Sequence, residues 1–150
     1  MKNREMCFPE NITASGKKNI LIKTAFIFTA IFVLFTSCGK YTSSYKAVGF
    51  VHSNGPSSAF MNFYSFEGVM VFSCTGKREG DISFSARLES GSADIYYDYN
   101  GQKNLLFSIS GGDEISSDGG YFEKGPVFII VETNGQCMNG DFKFDLQNQE

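Results

Sequence analysis

Apolar and polar residues alternate one by one along much of the second half of the chain. In residues 82–89 the apolar positions are Ile82, Phe84, Ala86 and Leu88, with Ser, Arg or Glu between them. The same alternation occurs in residues 93–99, 105–109 and 142–146. A period of two is typical of a β-strand with one buried face. These four segments are therefore predicted to be strands.

Further strands are indicated by composition. Residues 127–131 are apolar on both faces, which favours a central strand. Residues 60–66 and 69–74 predict one or two more strands, and residues 45–52 a short first one. Asn-Gly, Gly-Gly and Ser-Gly-Ser sequences between the runs are typical of tight turns. The sequence predicts an all-β domain over residues 59–150, a single antiparallel β-sandwich, jelly-roll-like, of about seven to eight strands.

The N-terminal quarter has a different pattern. Residues 1–19 are polar and basic, and residues 20–35 are apolar apart from Lys23, Thr24 and Thr29. The run without a charged residue that follows Lys23 and Thr24, residues 25–35, is about half the ~20 residues that a membrane span needs. A basic flank, a short apolar run and small residues form the layout of a secretory signal peptide. An uncleaved membrane anchor is the alternative.

The end of this run resembles the lipobox of bacterial lipoproteins. In that family a bulky apolar residue and two small ones precede an obligatory cysteine, as Phe35, Thr36 and Ser37 precede Cys38 here. The resemblance implies lipidation of the Cys38 sulfur by a diacylglyceryl group, and cleavage after Ser37. Two or more acyl chains anchor a protein stably to a membrane. The implied location is the bacterial cell envelope, lipid-anchored and facing the periplasm or the exterior.

These features divide the chain into three parts. Residues 1–37 are the lipoprotein signal peptide, and residues 38–58 a lipidated N-terminus with a flexible Ser-, Gly- and Lys-rich tether. Up to Ser37 there are five basic and two acidic residues, whereas the rest of the chain has eight basic and fourteen acidic ones. An acidic body argues against nucleic acid as a partner, because phosphate binding needs clustered Lys and Arg.

No catalytic constellation is found in the sequence. The one histidine, His52, falls in the predicted tether or first strand, where a base would lack rigid support. The zinc-protease, serine-hydrolase and phosphate-loop motifs are absent from the sequence. The sequence therefore predicts no enzyme and no cofactor.

Two groups of residues are candidates for binding. Asp113, Glu114 and Asp118 lie in a glycine-rich segment, residues 111–120, and carboxylates on a loop are weak candidates for binding Ca²⁺. Tyr96 points to the side of its strand opposite Tyr97, and an exposed ring there would stack on a sugar. Ordinary solvated carboxylates and cross-strand packing are the alternatives.

Cys74 and Cys137 are the thiols that remain once the leader is removed and Cys38 is acylated. Export takes them to a compartment where disulfides persist. Cys74 closes a predicted strand and Cys137 lies in the turn before the last one. The sequence therefore predicts a Cys74–Cys137 disulfide that stabilises the fold by roughly 4 kcal/mol. Two unpaired thiols are the alternative.

Three hypotheses for function remain at this stage. The first is a membrane-anchored, non-enzymatic binding or adhesion module for an unknown protein or glycan ligand. The second is a carbohydrate-binding accessory domain, and the third is a purely structural envelope protein.

Overall fold

The computed structural model describes residues 40–148, which contain nine β-strands and no helix. All the strand pairings are antiparallel. The prediction of an all-β antiparallel fold is thus confirmed. Because residues 40–148 contain no helix, none there has the length and hydropathy of a membrane span. The strands are β1 (Ser44–Val48), β2 (Val51–Asn54), β3 (Ser58–Gly76), β4 (Gly80–Ser90), β5 (Ser92–Asp98), β6 (Asn104–Ser110), β7 (Glu114–Phe122), β8 (Gly125–Thr133) and β9 (Cys137–Asn148).

Consecutive strands lie end to end in three cases, β8 with β9, β4 with β5, and β6 with β7, and each such pair forms one line through the sheet. Strand β3 is 19 residues long, and β8 pairs with its second half while β9 pairs with its first half. Strands β5 and β4 run beside β8 and β9 in the same way, and β6 and β7 run beside β5 and β4. All nine strands form one hydrogen-bonded sheet. Phe72 of β3 contacts Phe144, which is paired with Ala59 thirteen residues earlier on β3, so the lines bend and the sheet folds into two layers. The first layer contains β2, the start of β3, β9, β4 and β7, and the second contains the end of β3, β8, β5 and β6.

The core lies between these layers and is rich in aromatic rings. Phe72 of the second layer lies 6.3 Å from Phe144 of the first, and Phe84 of the first stacks on Phe107 of the second at 4.4 Å, both measured between ring centroids. The predicted core face of β4, from Ile82 to Leu88, is buried as expected. Burial of apolar area at about 25 cal/mol per Å² is the main stabilising contribution here.

Glycine at the bend allows two lines of strands to pack closely. Gly91 joins β4 to β5 with a φ of +97°, and a Cβ there would lie 2.7 Å from the Cys137 sulfur. Gly111 N donates to Gly91 O at 2.8 Å, and Asn134 N donates to Ser92 O at 2.9 Å. Any side chain at residue 91 would strain the backbone and collide with β9, so this bend requires glycine.

The N-terminal boundary of the domain differs from the prediction. Strands β1 and β2 lie inside residues 38–58 and are hydrogen-bonded to β3, and the compact unit begins at Tyr41. The short first strand predicted over residues 45–52 is thus observed as two short and mostly exposed strands. Residues 44–54 are therefore sheet and not tether. The predicted signal peptide and Cys38 lie outside the described residues.

Candidate functional site

A row of polar side chains crosses the outer side of the first layer. Asn62 on β3 is paired in register with Asp141 on β9, which is paired with Arg87 on β4, which is paired with Glu114 on β7. Their chain neighbours Met61, Ala86 and Phe142 are buried, so alternation directs the row away from the core. The strand register thus collects side chains that are far apart in sequence.

Several of these side chains are held in place by one another. Asn62 Nδ2 donates to Asp141 Oδ2 at 3.0 Å, and Lys143 Nζ lies 3.5 Å from Asp141 Oδ1. Asn139 Nδ2 donates to the Glu89 carboxylate. The ion pairs Lys103–Glu132 and Lys143–Asp141 do not involve Arg87. Its guanidinium carries five N–H donors in a planar fork.

Two aromatic rings flank this polar row. Phe60 and Tyr64 lie on β3 on either side of Asn62 and are 37% and 57% exposed. Their Cα atoms are about 14 Å apart along an extended strand. Large rings normally contribute most when they are buried, so two exposed rings on one strand indicate a contact surface.

The surface between the rings and the polar row is shallowly concave. Three adjoining depressions have volumes of about 260, 310 and 380 Å³, and Arg87 lines all three. The largest is also lined by Tyr64, Asn139 and Asp141. We call this surface the Arg87 face, and it comprises Phe60, Asn62, Tyr64, Arg87, Glu89, Glu114, Asn139, Asp141 and Lys143.

Tyr96, the residue predicted to contact a sugar, lies on the other layer. It is half-buried on the outer side of β5, where it pairs with Leu105 and Ile130. Lys103 Nζ lies 4.0 Å from its ring centroid and covers one side of the ring. A sugar would have to displace this cation to stack there. The ligand role of Tyr96 stays a prediction, and the structure brings Tyr96 together with no residue of the Arg87 face.

The weak metal candidates are not on one loop, contrary to the prediction. Asp113 lies in the turn before β7, where its Oδ2 accepts a hydrogen bond from Ser110 N at 2.9 Å. Glu114 and Asp118 lie on β7 itself, opposite Arg87 and Ser83. Four residues along a strand separate their Cα atoms by about 13 Å. Within residues 40–148 no three potential metal ligands converge. Strand β7 lies at the edge of the sheet, and because it is rich in Ser and Gly the sequence did not identify it as a strand.

The predicted disulfide is absent, because both cysteines are free and buried. Cys74 is paired with Val127 near the end of β3, whereas Cys137 is paired with Phe66 beside the bend. Eight residues of β3 separate these positions, far more than the ~6.8 Å between Cα atoms that a bridge allows. Cys74 lies near the end of β3 in the second layer, whereas Cys137 begins β9 beside the bend, so the two are not on one rim. The prediction of a Cys74–Cys137 disulfide is therefore wrong.

Burial makes both thiols poor nucleophiles. It raises the pKa of Cys74 from 9.0 to about 11, with a smaller contribution from the nearby Asp145 carboxylate. Burial also raises the pKa of Cys137, whose sulfur donates to Ser92 O at 3.3 Å. Because the thiolate is the reactive form, neither residue is suited to covalent chemistry at neutral pH.

His52 lies on the exposed edge strand β2. Its ring stacks on Phe50 with 4.9 Å between the centroids. It is thus part of an aromatic cluster at the open edge of the sheet, in which Phe50 also contacts Tyr45 and Phe66. This placement indicates a packing role for the imidazole.

No family model and no curated protein matches the sequence. Solved structures that are similar include the CBM35 from Paenibacillus barcinonensis, at 15% identity and a TM-score of 0.42, covering 73% of this chain and 100% of that one. TmCBM61, in complex with β-1,4-galactotriose, has 16% identity and a TM-score of 0.42, with coverage of 72% and 86%. CsCBM6-3 from Clostridium stercorarium, in complex with cellobiose, has 10% identity and a TM-score of 0.39, with coverage of 75% and 91%. Likeness at this level assigns neither ligand nor activity to this chain.

Apart from Glu114, the residues of the Arg87 face were not predicted to form a site. Phe60 and Tyr64 were included in a predicted strand, but their neighbours Met61 and Phe63 are apolar too. Since both sides of that strand carry large apolar residues, sequence alone did not show which side faces solvent. The one available signal was Asn62 between two aromatic residues on the same side.

Proposed function

We propose that the mature domain is a non-catalytic surface module, anchored to a membrane by lipid at Cys38, that binds a glycan through the Arg87 face. The observation that carries the glycan assignment is the pair of exposed rings, Phe60 and Tyr64, on either side of Asn62. Tyr64 and Asn62 also line the largest of the three depressions. Sugar rings have an apolar C–H side and a rim of hydroxyls. Such a ligand needs an aromatic platform beside hydrogen-bonding groups, and the Arg87 face supplies both.

The charges on the Arg87 face favour a neutral glycan. Arg87 and Lys143 are outnumbered there by the carboxylates of Glu89, Glu114 and Asp141. An acidic sugar would meet this net negative charge, and like charges in contact are unfavourable. Carboxylates and amides also accept and donate hydrogen bonds to uncharged hydroxyls. A neutral oligosaccharide therefore suits the site better than a uronic acid polymer.

Membrane anchoring is supported by the sequence Phe35-Thr36-Ser37-Cys38, which follows a basic segment and an apolar run. The proposal places the protein in the bacterial cell envelope, where a glycan of the surface or of the surroundings would be within reach. Mass spectrometry of the membrane fraction tests this part. An N-terminal peptide that begins at Cys38 and carries acyl chains is expected, and an unmodified cysteine would contradict it.

Glycan-array binding by the soluble domain, residues 40–150, tests the ligand. We expect binding to neutral oligosaccharides that is lost in Tyr64→Ala, because this change removes the more exposed ring of the platform. Tyr96→Ala is the matched control on the other layer and should bind as the unaltered domain does. Binding that survives Tyr64→Ala but is lost in Tyr96→Ala would contradict the proposed site. Failure to bind any glycan would contradict the proposed ligand.

A further inference from the structure

The chain is fixed to the domain as soon as the described residues begin. Tyr41 OH donates to Asp98 Oδ2 at 2.6 Å, and its ring packs on Phe128 with centroids 5.6 Å apart. Two residues later, Ser43 Oγ accepts a hydrogen bond from Val71 N at 2.9 Å. These contacts hold residues 41–43 against the outer side of the second layer.

A short covalent connection follows from this attachment. Three peptide units join Cys38 to Tyr41. Even a fully extended chain spans at most ~3.6 Å per residue, so the two Cα atoms are within about 11 Å of one another. An acyl group on Cys38 would therefore hold Tyr41, and the surface around it, close to the lipid headgroups.

The surface around Tyr41 has the chemistry of a membrane interface. Leu105 is 56% exposed and is paired in register with Tyr96, whose ring carries Lys103 above it. Aromatic rings with a polar end are enriched at membrane interfaces, and lysine covers apolar area while its charge reaches the headgroups. The Lys103 charge is paired with Glu132 at 2.6 Å, so these two charges balance one another. We call this surface the Tyr41 face, and it comprises Tyr41, Tyr96, Asp98, Lys103, Leu105 and Phe128.

We propose that the Tyr41 face rests on the bilayer and holds the Arg87 face outward. The inference rests on the lipid-anchoring part of the proposed function and is independent of the glycan part. The two faces are the outer sides of opposite layers of one sandwich, so contact of one with lipid presents the other to the surroundings. The domain is thus oriented by its short connection to the lipid and is not suspended on a long tether.

The test compares two labelled cysteines in the full chain, purified from membranes and reconstituted into vesicles of phosphatidylethanolamine and phosphatidylglycerol. Leu105→Cys places a fluorophore on the Tyr41 face, and Ser116→Cys places one on the exposed outer side of β7 in the first layer. The native Cys74 and Cys137 are buried and should not be labelled in the folded protein. Quenching by lipids with a nitroxide on the headgroup is then measured.

We expect severalfold stronger quenching at residue 105 than at residue 116. Insertion of a twelve-residue Gly/Ser spacer between Gly39 and Lys40 should reduce the quenching at 105 to the level at 116, since a flexible spacer of this length reaches roughly 20 Å. Equal quenching at both positions without the spacer, or stronger quenching at 116, would overturn the orientation. Absence of acyl mass on Cys38 would overturn both this inference and the lipid anchor, but not glycan binding. Loss of glycan binding with position-dependent quenching intact would overturn only the proposed ligand.

Discussion

The Arg87 face and the Tyr41 face lie over the same core but differ in what covers them. On the Arg87 face the rings of Phe60 and Tyr64 are open to solvent. On the Tyr41 face residues 41–43 lie against the sheet, and Asp98 below them is only 1% exposed. Residues 41–43 thus cover part of the Tyr41 face, whereas no N-terminal residue in the described part of the chain covers the rings of the Arg87 face. Where the fold has covered one face and not the other, the bare one is the better candidate for a ligand.

The strongest test of this difference is the substitution of one hydroxyl on each face. Tyr41→Phe removes the donor to the buried Asp98 carboxylate, which keeps the hydrogen bond from Gly101 N at 2.6 Å. We expect the free energy of unfolding to fall by about 1–3 kcal/mol, because a buried polar group that loses a partner is costly. Urea unfolding followed by circular dichroism measures this change.

Tyr64→Phe is the matched control on the Arg87 face. Its ring is 57% exposed, so we expect a change of less than about 0.5 kcal/mol. If the two variants lose equal stability, the Tyr41 face is not fixed by its N-terminal segment and the comparison fails.

A second test sharpens the role of the Arg87 face. Arg87→Ala should weaken glycan affinity by about tenfold, or ~1.4 kcal/mol, because it removes a fork of charged donors from all three depressions. Arg87→Lys keeps the charge but not the planar fork, so an intermediate affinity is expected. Calorimetry with the oligosaccharide found on the array gives both values.

Lys103→Ala is the control for Arg87→Ala, since it removes a cation from the Tyr41 face. Unchanged affinity is expected in that variant. A comparable loss in both variants would mean that bulk charge, and not the Arg87 site, governs binding.

A further test concerns the core between the two faces. Burial raises the pKa of Cys74 from 9.0 to about 11, so the folded state favours the neutral thiol. This contribution to stability is fully present below pH 9 and is lost as the pH rises from about 9 to about 11. Cys74→Ala should therefore show a shallower alkaline loss of stability between pH 8 and pH 11, measured from urea midpoints at each pH.

Burial also raises the pKa of Tyr97, so some alkaline loss should persist in the Cys74→Ala variant. Thiol counting in the unreduced domain, residues 40–150, checks the same core independently. We expect no fast-reacting thiol in the folded state and two after unfolding. If no thiol reacts after unfolding, Cys74 and Cys137 are joined in a disulfide, contrary to the structure.

The fold class and most of the core could be predicted from the order of the residues alone. Alternation over residues 82–88 and 142–146 identified side chains that are all buried, because a strand with one solvated face must alternate. The apolar run 127–131 was correctly predicted to be a central strand, and β8 lies between β3 and β5. The signal peptide and the lipidation of Cys38 stay predictions, since these residues lie outside the described part of the chain.

The exposure of outward side chains and the register between strands could not be predicted from period-two patterns. The buried positions of β3 change from odd to even numbers between Phe63 and Phe66, close to Gly68 where the strand passes from one layer to the other. Asp98 lies between Tyr97 and Tyr99, which pack against the core, so alternation directs it to the other side of β5. It is nevertheless buried, because Tyr41 covers it. The row Asn62–Asp141–Arg87–Glu114 exists only because strand register brings four distant segments side by side. Alternation predicts the side of a strand on which a side chain lies. The exposure of that side chain depends on which other segment covers it, and this is known only from the folded chain.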